Sequence, residues 1–401
     1  MTDNVAPTPL ARPTSLGVQV AVLAALSAGG TLATNILLPS LPEIAAAVGV
    51  TSAQVTSAIT IFLAIFAFGQ LVVGPLSDRY GRRLPVLIGF AIFFAGSIWC
   101  ALANDLPTLL VGRVVQAAGA CATSVLSRAI ARDLFEGEKL ARALTFVMIA
   151  MAAAPGFSPL VGGALDQMFG WRSAFIFVAA FAALTALAYS FVFGETHHAT
   201  RTALDPFAIA RNYLSLSTDR RFFVPAATVS LIMGALFALF SAAPRVLIEG
   251  LGFTPLQLGS FFAGTVMIVF SAGMTATKLV PRLGLDRTIQ IALGLASLGA
   301  AVVLLVALYD GRFLPFLAGT CIFLLGMGMV NPLGSAQSLS PFGDRAGAAS
   351  ALLGFWQMIS AAVCVFVAAI ITKDAMTGLG LVLTLASIGG TALYMLRRSA
   401  A

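Results

Sequence analysis

The sequence predicts an all-α polytopic membrane protein with twelve transmembrane helices arranged as two six-helix halves. Apolar residues make up 59% of the 401 residues, charged residues only 10%, and the mean hydropathy is +0.98. Twelve helices that cross a ~30 Å hydrocarbon core need about 240 apolar residues, which a 59% share of this chain provides. Soluble domains contain about 25% charged residues, and disordered chains have low hydrophobicity, so both classes are excluded.

Twelve apolar stretches follow one another along the chain, and each is long enough to cross the hydrocarbon core as a helix. They fall at 16–38, 51–73, 84–103, 107–129, 141–163, 173–193, 222–243, 255–277, 288–308, 313–333, 346–371 and 378–396. The longest polar segment separates the sixth stretch from the seventh. We therefore expect an N-terminal half at 1–193, a central loop at 194–221 and a C-terminal half at 222–401.

The distribution of Lys and Arg predicts the orientation in the membrane. With the N-terminus in the cytoplasm, 18 basic residues fall in cytoplasmic segments, 4 fall in exterior segments, and Arg113 lies within a span. By the positive-inside rule both termini and the central loop are then cytoplasmic. The formal net charge of +7 is explained by this topology and does not indicate a nucleic-acid partner.

The most specific string follows the second stretch and reads GPLSDRYGRR. Its G-x-L-x-D-R-x-G-R-R spacing resembles the signature loop of the major facilitator superfamily. A degenerate echo at 278–287 follows the eighth stretch and indicates an internal repeat. The resemblance implies the major facilitator fold and a loop that acts as a conformational latch between the halves without contacting substrate. The latch residues would be Gly74, Asp78, Arg79, Gly81, Arg82 and Arg83.

Further strings are similar to those of drug:proton antiporters of the bicyclomycin and chloramphenicol resistance type. The fourth stretch contains GRVVQAAG at 112–119, which resembles the R-x-x-Q-x-x-G motif of that branch, and LPSLP at 38–42 fits the same branch. The fifth stretch contains APGFSPLVGG at 154–163, which resembles the antiporter helix motif. Small residues and prolines allow the close, flexible helix contact that an antiporter needs. The motif residues would be Pro155, Pro159, Gly162 and Gly163.

Arg113 is the only charged residue that these boundaries place within the hydrocarbon core. A charge there costs on the order of 2.5–3.5 kcal/mol on insertion scales, which favours a functional role over snorkelling to the outer surface. The resemblance implies an aspartate in the first span where this chain has Asn35. We assign Asn35 and Arg113 to the proton-coupling position. An amide does not titrate, so the asparagine, native or introduced, predicts that coupling is lost in the chain as written.

Polar, methionine and aromatic residues facing a central pathway form the expected substrate site, since Met and aromatic side chains repack around variable amphipathic drugs. Taken singly, each such residue is more typical of helix packing than of ligand contact. The expected binding residues are Thr31, Asn35, Arg113, Gln116, Met151, Met233, Phe237, Phe240, Asn331 and Gln357.

The sequence therefore predicts a monomeric exporter in the bacterial inner membrane that expels amphipathic drugs or antibiotics by proton-coupled antiport with alternating access. Its partners would be the small-molecule substrate, protons and the lipid bilayer. A metabolite facilitator or symporter on the same fold is the alternative. The sequence contains no GxxxxGK[ST] string, and its four cysteines lie in apolar stretches away from any ligand cluster. We expect no enzymatic activity, cofactor or metal.

Overall fold

The computed structural model describes residues 15–196, 205–309 and 312–399. Their regular structure is helical throughout, and twelve of the helical segments are long and apolar enough to cross a membrane. Arg12 and Arg201, which contribute to the predicted charge distribution, lie outside the described residues.

Fifteen α-helices form the described chain, and twelve of them supply the spans. In chain order they are α1 (Leu16–Asn35), α2 (Leu41–Val48), α3 (Ser52–Val55), α4 (Ser57–Tyr80), α5 (Arg83–Ala101), α6 (Leu106–Leu134), α7 (Gly137–Phe169), α8 (Arg172–Val192), α9 (Pro206–Thr218), α10 (Arg220–Ala243), α11 (Pro255–Leu283), α12 (Leu285–Tyr309), α13 (Phe313–Leu339), α14 (Ala346–Ile370) and α15 (Ala375–Ser399). Short 3-10 turns cover Leu38–Ser40 and Ser340–Arg345, and a π-helical turn covers Pro244–Gly250.

Local sequence explains where several helices begin. Thr51 and Thr254 each form a capping box with the glutamine three residues later, just before the second and the eighth span. Such boxes satisfy backbone N–H groups that have no partner within the helix. Asp105 caps α6 in a related way, because its side chain accepts a hydrogen bond of 2.8 Å from the backbone N–H of Thr108. The repeated capping box is a second sign of the internal repeat.

Glycines with positive φ separate consecutive spans. Gly81 (φ +86°) lies between α4 and α5, and Gly284 (φ +80°) lies at the matching place between α11 and α12. Only glycine adopts this conformation without strain. The weak echo between 74–83 and 278–287 therefore corresponds to the same backbone turn in both places.

The helices of the two sets of six pack in the same order. In the first set α6 packs against α1, α4 and α5, and in the second set α13 packs against α10, α11 and α12. The two sets meet where α4 packs against α14 and where α7 packs against α11. We call the end with Arg79, Arg82 and Arg220 the basic end, and the end with Leu38–Ser40 and Pro244–Gly250 the opposite end.

Several helices extend beyond the stretches predicted from the sequence, and α6 and α7 are two of them. The stretch predicted at 107–129 continues as α6 to Leu134, so that Arg128 and Arg132 lie on the helix. The stretch predicted at 141–163 is part of the 33-residue helix α7, with Pro155 and Pro159 inside it. Hydropathy marks only the apolar part of a span, whereas the helical hydrogen bonds of the backbone continue beyond it. Membrane-spanning helices tolerate internal prolines where neighbouring helices pack closely.

Candidate functional site

Arg113 is the largest fully buried side chain among the described residues, with 0% exposure. Its Nε donates to the carbonyl of Ala58 on α4 at 3.1 Å, and its Nη1 donates to the carbonyl of Ala33 on α1 at 3.1 Å. The guanidinium carbon lies 4.2 Å from the ring centroid of Phe62. The side chain therefore joins three helices from within and does not snorkel to a surface.

A buried polar chain continues from Arg113 along α6. Its Nη1 also donates to Oε1 of Gln116, and Nε2 of Gln116 donates to the hydroxyl of Ser97 on α5 at 2.8 Å. A Cβ at Gly96 would collide with the backbone of Gln116, so glycine permits this close approach. The arginine and the glutamine of the predicted R-x-x-Q-x-x-G motif thus form one network.

Two polar atoms of this region have no hydrogen-bond partner among the described residues. They are Nη2 of Arg113 and Oδ1 of Asn35, and both are buried. Asn35 is 1% exposed, and its Nδ2 donates to the carbonyl of Thr31 at 2.8 Å. Burying an unpaired polar group costs about 1–3 kcal/mol. Both atoms therefore carry an unmet hydrogen-bonding capacity inside the protein, and the structure shows no hydrogen bond between Asn35 and Arg113.

The other predicted binding residues lie on α7, α10, α13 and α14. Asn331 and Gln357 are brought together, with Gln357 Nε2 at 3.4 Å from Asn331 Oδ1. Phe240 packs edge-on against Phe262 of α11, with the ring centroids 5.0 Å apart. The remaining members, Met151, Met233 and Phe237, are half-buried. No hydrogen bond in the described part of the chain links these residues to the Arg113 network.

The predicted latch is a network of ion pairs at the basic end. Arg82 contacts Asp78 at 2.8 Å and Asp133 at 2.9 Å. Burial disfavours the charge of Arg82, but the hydrogen bonds and charges of Asp133 and Asp78 raise its pKa above the ordinary value. Glu195, after α8, accepts hydrogen bonds from the backbone N–H groups of Arg82 and Arg83. These contacts join α4, α5, α6 and the end of α8, all within the first set of six helices.

The remaining latch residues shape the backbone. A Cβ at Gly81 would collide with the carboxylate of Glu195, and its φ of +86° also requires glycine. The carbonyl of Gly74 accepts a hydrogen bond of 2.7 Å from the hydroxyl of Ser77, which also contacts Arg82. The guanidinium of Arg79 lies 5.6 Å from the ring of Tyr80. Asp133 and Glu195 belong to this network but not to the latch predicted from the sequence, although their position at span ends on the basic side indicates them.

The Pro/Gly-rich part of α7 lies between the two sets of helices. A Cβ at Gly162 would collide with the carbonyl of Ile36, just after α1, and a Cβ at Gly163 would lie 2.7 Å from the carbonyl of Pro255 on α11. About two turns earlier, a Cβ at Gly156 would collide with Val266 of α11. The small residues therefore let α7 approach α11 and the end of α1 on two adjoining faces.

A family model described as Major Facilitator Superfamily matches residues 23–365. This range contains the latch loop, the Arg113 network and the α7 motif. The chain belongs to the Major Facilitator Superfamily. Its twelve helical spans and its internal repeat are those of a transporter of this family, so the protein is a multi-pass membrane transporter of small molecules and not an enzyme.

Relatives in this superfamily match most of the chain. It is 31% identical to the MFS-type transporter YdgK of Bacillus subtilis (strain 168), covering 84% of this chain and 85% of that protein. It is 29% identical to a bicyclomycin resistance protein homolog of Haemophilus influenzae, covering 80% and 81%. It is 27% identical to multidrug resistance protein D of Escherichia coli (strain K12), covering 91% of each. The predicted resemblance to the bicyclomycin resistance branch is thereby confirmed.

The fold matches solved transporter structures. A bacterial homolog of the human lysosomal transporter Spinster aligns with a TM-score of 0.75 at 15% identity, covering 96% of this chain and 97% of that one. At this identity the likeness concerns the fold alone. The predicted major facilitator fold is confirmed.

Proposed function

We propose that this transporter exports amphipathic drugs or antibiotics from a bacterial cell by alternating access in the inner membrane. The observation on which the proposal depends is the buried Arg113 network. Nη2 of Arg113, and Oδ1 of Asn35 two residues after Ala33, have no hydrogen-bond partner among the described residues. A charge deep in a membrane protein is costly and typically marks a substrate or ion pathway. Similarity to the bicyclomycin and multidrug resistance proteins supports a drug as the substrate.

The contacts between the two sets of helices support a state that is closed at the opposite end. There the turn Leu38–Ser40 packs against α10 and α11, and the hydroxyl of Ser52 donates to Glu249 across the two sets. Among the described residues α6 and α13 form no extended contact. We propose that residues 1–193 and 222–401 move relative to each other as two halves. We also propose that the monomer is sufficient for transport, because one chain supplies the whole Arg113 network.

The proposed orientation places the basic end in the cytoplasm. Arg79, Arg82 and Arg83 lie there, together with Arg220 and Arg221 at the start of α10. Positive charge is retained on the cytoplasmic side during insertion. The opposite end then faces the exterior, and an exporter takes its substrate from the side of the basic end.

Position 35 determines the proposed proton coupling. The amide of Asn35 donates to the carbonyl of Thr31, a bond that a carboxyl group can make only when it is protonated. An aspartate there would lose this bond on ionisation and could then interact with the free Nη2 of Arg113. Asparagine permits only the first arrangement. We propose that this chain binds drug but does not couple its movement to protons, and that Asn35→Asp introduces coupling.

The test is substrate accumulation in proteoliposomes under an imposed ΔpH, with and without an uncoupler. The drug is chosen first by growth inhibition and efflux in a pump-deficient bacterium, using phenicols, cationic dyes and peptide-like antibiotics. We expect the unchanged protein to equilibrate the drug without concentrating it. Asn35→Asp should concentrate the drug, and adding Arg113→Ala should abolish that gain.

Two outcomes would contradict the proposal. Uphill, uncoupler-sensitive transport by the unchanged protein would place the coupling site elsewhere. Transport of a nutrient rather than a drug would favour the metabolite facilitator, provided that the uncoupler affects neither the unchanged protein nor the Asn35→Asp variant. Arg172→Ala serves as a control for Arg113→Ala, because it removes an exposed guanidinium that also donates to a backbone carbonyl.

A further inference from the structure

A pair of carboxyl groups lies at the opposite end, away from the Arg113 network. Asp166 is in the last turn of α7 and is only 8% exposed, whereas Glu43 is in the first turn of α2 and is exposed. The Glu43 carboxyl and the Ser40 hydroxyl are the side-chain groups that act on the Asp166 carboxyl. An added Cβ at Gly170 would lie 3.6 Å from Oε1 of Glu43, which places that carboxyl over the end of α7.

The backbone brings these groups together. Asp166 follows Gly162 by four residues, so both lie on the same face of α7. Gly162 touches the carbonyl of Ile36, and the next turn of α7 therefore meets the chain segment that continues through Ser40 to Glu43. The contact between α7 and the turn Leu38–Ser40 depends on the same close approach.

Two buried oxygens in this cluster are unsatisfied. Oδ1 of Asp166 and the hydroxyl of Ser40 have no hydrogen-bond partner among the described residues, and Ser40 is 0% exposed. Two carboxylates only accept hydrogen bonds, so in ionised form neither can donate to the other. A proton shared between the Asp166 and Glu43 carboxyl groups supplies the donor that the ionised pair lacks.

The helix ends indicate which carboxyl holds the proton. Asp166 lies in the last turn of α7, where unpaired carbonyl groups disfavour negative charge, and Glu43 lies in the first turn of α2, where N–H groups favour it. In the described part of the chain, no group of opposite charge compensates Asp166. Within the described residues the one charged group that acts on it is Glu43. Arg172 donates to the carbonyl of Ala103 and to Oδ1 of Asn104, Arg245 donates to the carbonyl of Lys373, and Glu249 accepts from the hydroxyl of Ser52.

We propose that Asp166 and Glu43 form a proton-binding site that closes the opposite end of the transporter, with the proton on Asp166 and Glu43 as its acceptor. Loss of the proton places two negative charges in contact, which drives the turn Leu38–Ser40 away from α7. The same turn packs against α10 and α11, so its displacement weakens the closed end. High pH therefore favours opening.

This site differs in role from the coupling position at residue 35. Glu43 is exposed at the opposite end, so the proton enters and leaves from one side. A proton that returns to the side from which it came does no transport work, and the pair therefore adjusts the equilibrium between states. The inference rests on the proposed function for the two-state motion, but its test requires neither substrate nor transport.

The test measures the distance between spin labels at two exposed positions of the opposite end, Leu102→Cys in the first set of helices and Leu314→Cys in the second. The four native cysteines are replaced in the background. In the full-length protein without substrate, we expect the short distance to dominate at about pH 5 and a longer distance to appear toward about pH 9. Asp166→Asn should abolish this shift and keep the short distance throughout.

Glu43→Gln provides a second variant at an exposed site, should Asp166→Asn fail to fold, and it too should abolish the shift. Asp105→Asn is the matched control, since that carboxyl lies at the same end and accepts its hydrogen bond from the backbone N–H of Thr108. This variant should retain the shift. A distance in the unchanged protein that does not respond to pH would overturn the proposal. So would a full response in both variants. Failure of drug export would leave these distances unaffected, so the two proposals are tested separately.

Discussion

At the scale of single residues, Arg113 and Arg172 form a natural comparison. Both donate to a backbone carbonyl at 3.1 Å, and their guanidinium carbons lie 4.2 and 4.3 Å from an aromatic ring. Arg113 is fully buried, whereas Arg172 is exposed. The cost of losing the guanidinium should therefore depend on burial, because water replaces lost hydrogen bonds only at the exposed site.

We predict that Arg113→Lys lowers the free energy of unfolding by about 1–3 kcal/mol, because an ammonium cannot reach the carbonyls of Ala33 and Ala58 together and leaves a buried acceptor unpaired. Arg172→Lys should change it by no more than about 0.5 kcal/mol. Chemical unfolding in detergent measures both values. Equal losses in the two variants would show that burial of the network is unimportant.

At the scale of the helix, α7 packs against the end of α1 and against α11 at glycines that leave no room for a side chain. We predict that Gly162→Ala destabilises the protein by about 1–3 kcal/mol through overpacking against Ile36. It should also lower the transport rate, because the opposite end no longer closes. The matched control is Gly264→Ala on α11, where an added Cβ meets nothing within 4 Å. There alanine should be neutral or stabilising by up to about 1 kcal/mol.

The loop between α4 and α5 belongs to the same scale. Asp78 contacts Arg82 far from Arg113, so Asp78→Ala should lower turnover about tenfold, equivalent to ~1.4 kcal/mol of activation free energy, while equilibrium drug binding is unchanged. Binding to the detergent-solubilised protein and initial rates in proteoliposomes separate these quantities. A variant with weaker binding and normal saturated turnover would contradict the role of a latch.

At the scale of the whole molecule, the proposed orientation places α9 and the latch on one side and the turn Leu38–Ser40 on the other. We predict that Ser215→Cys on α9 reacts with an impermeant thiol reagent only from the cytoplasm. Leu102→Cys should react only from outside. Both positions are exposed in the structure, so access depends on the side rather than on burial. Labelling of Ser215→Cys in intact cells would reverse the topology.

Composition and the regular spacing of apolar stretches were sufficient to predict the helical membrane fold. A chain with 59% apolar residues can satisfy its backbone in lipid only as helices or a closed barrel, and the stretches have helical length. The latch string, the α7 motif and the solitary Arg113 were also recognisable in the sequence, because each departs from the composition of an ordinary span. Each places charge, proline or glycine where an ordinary span would have apolar residues.

Only the tertiary structure revealed which residues meet. Ala33, Ala58, Gln116 and Ser97 surround Arg113 because three neighbouring helices approach it, and hydropathy contains no information about helix rotation. Asp166 and Glu43 belong to separate segments that read as ordinary polar span ends in the sequence. They form a site because the backbone contact at Gly162 aligns the next turn of α7 with the segment after α1. Sequence thus determined the elements and their charges, while close packing between distant segments determined the chemistry at each contact.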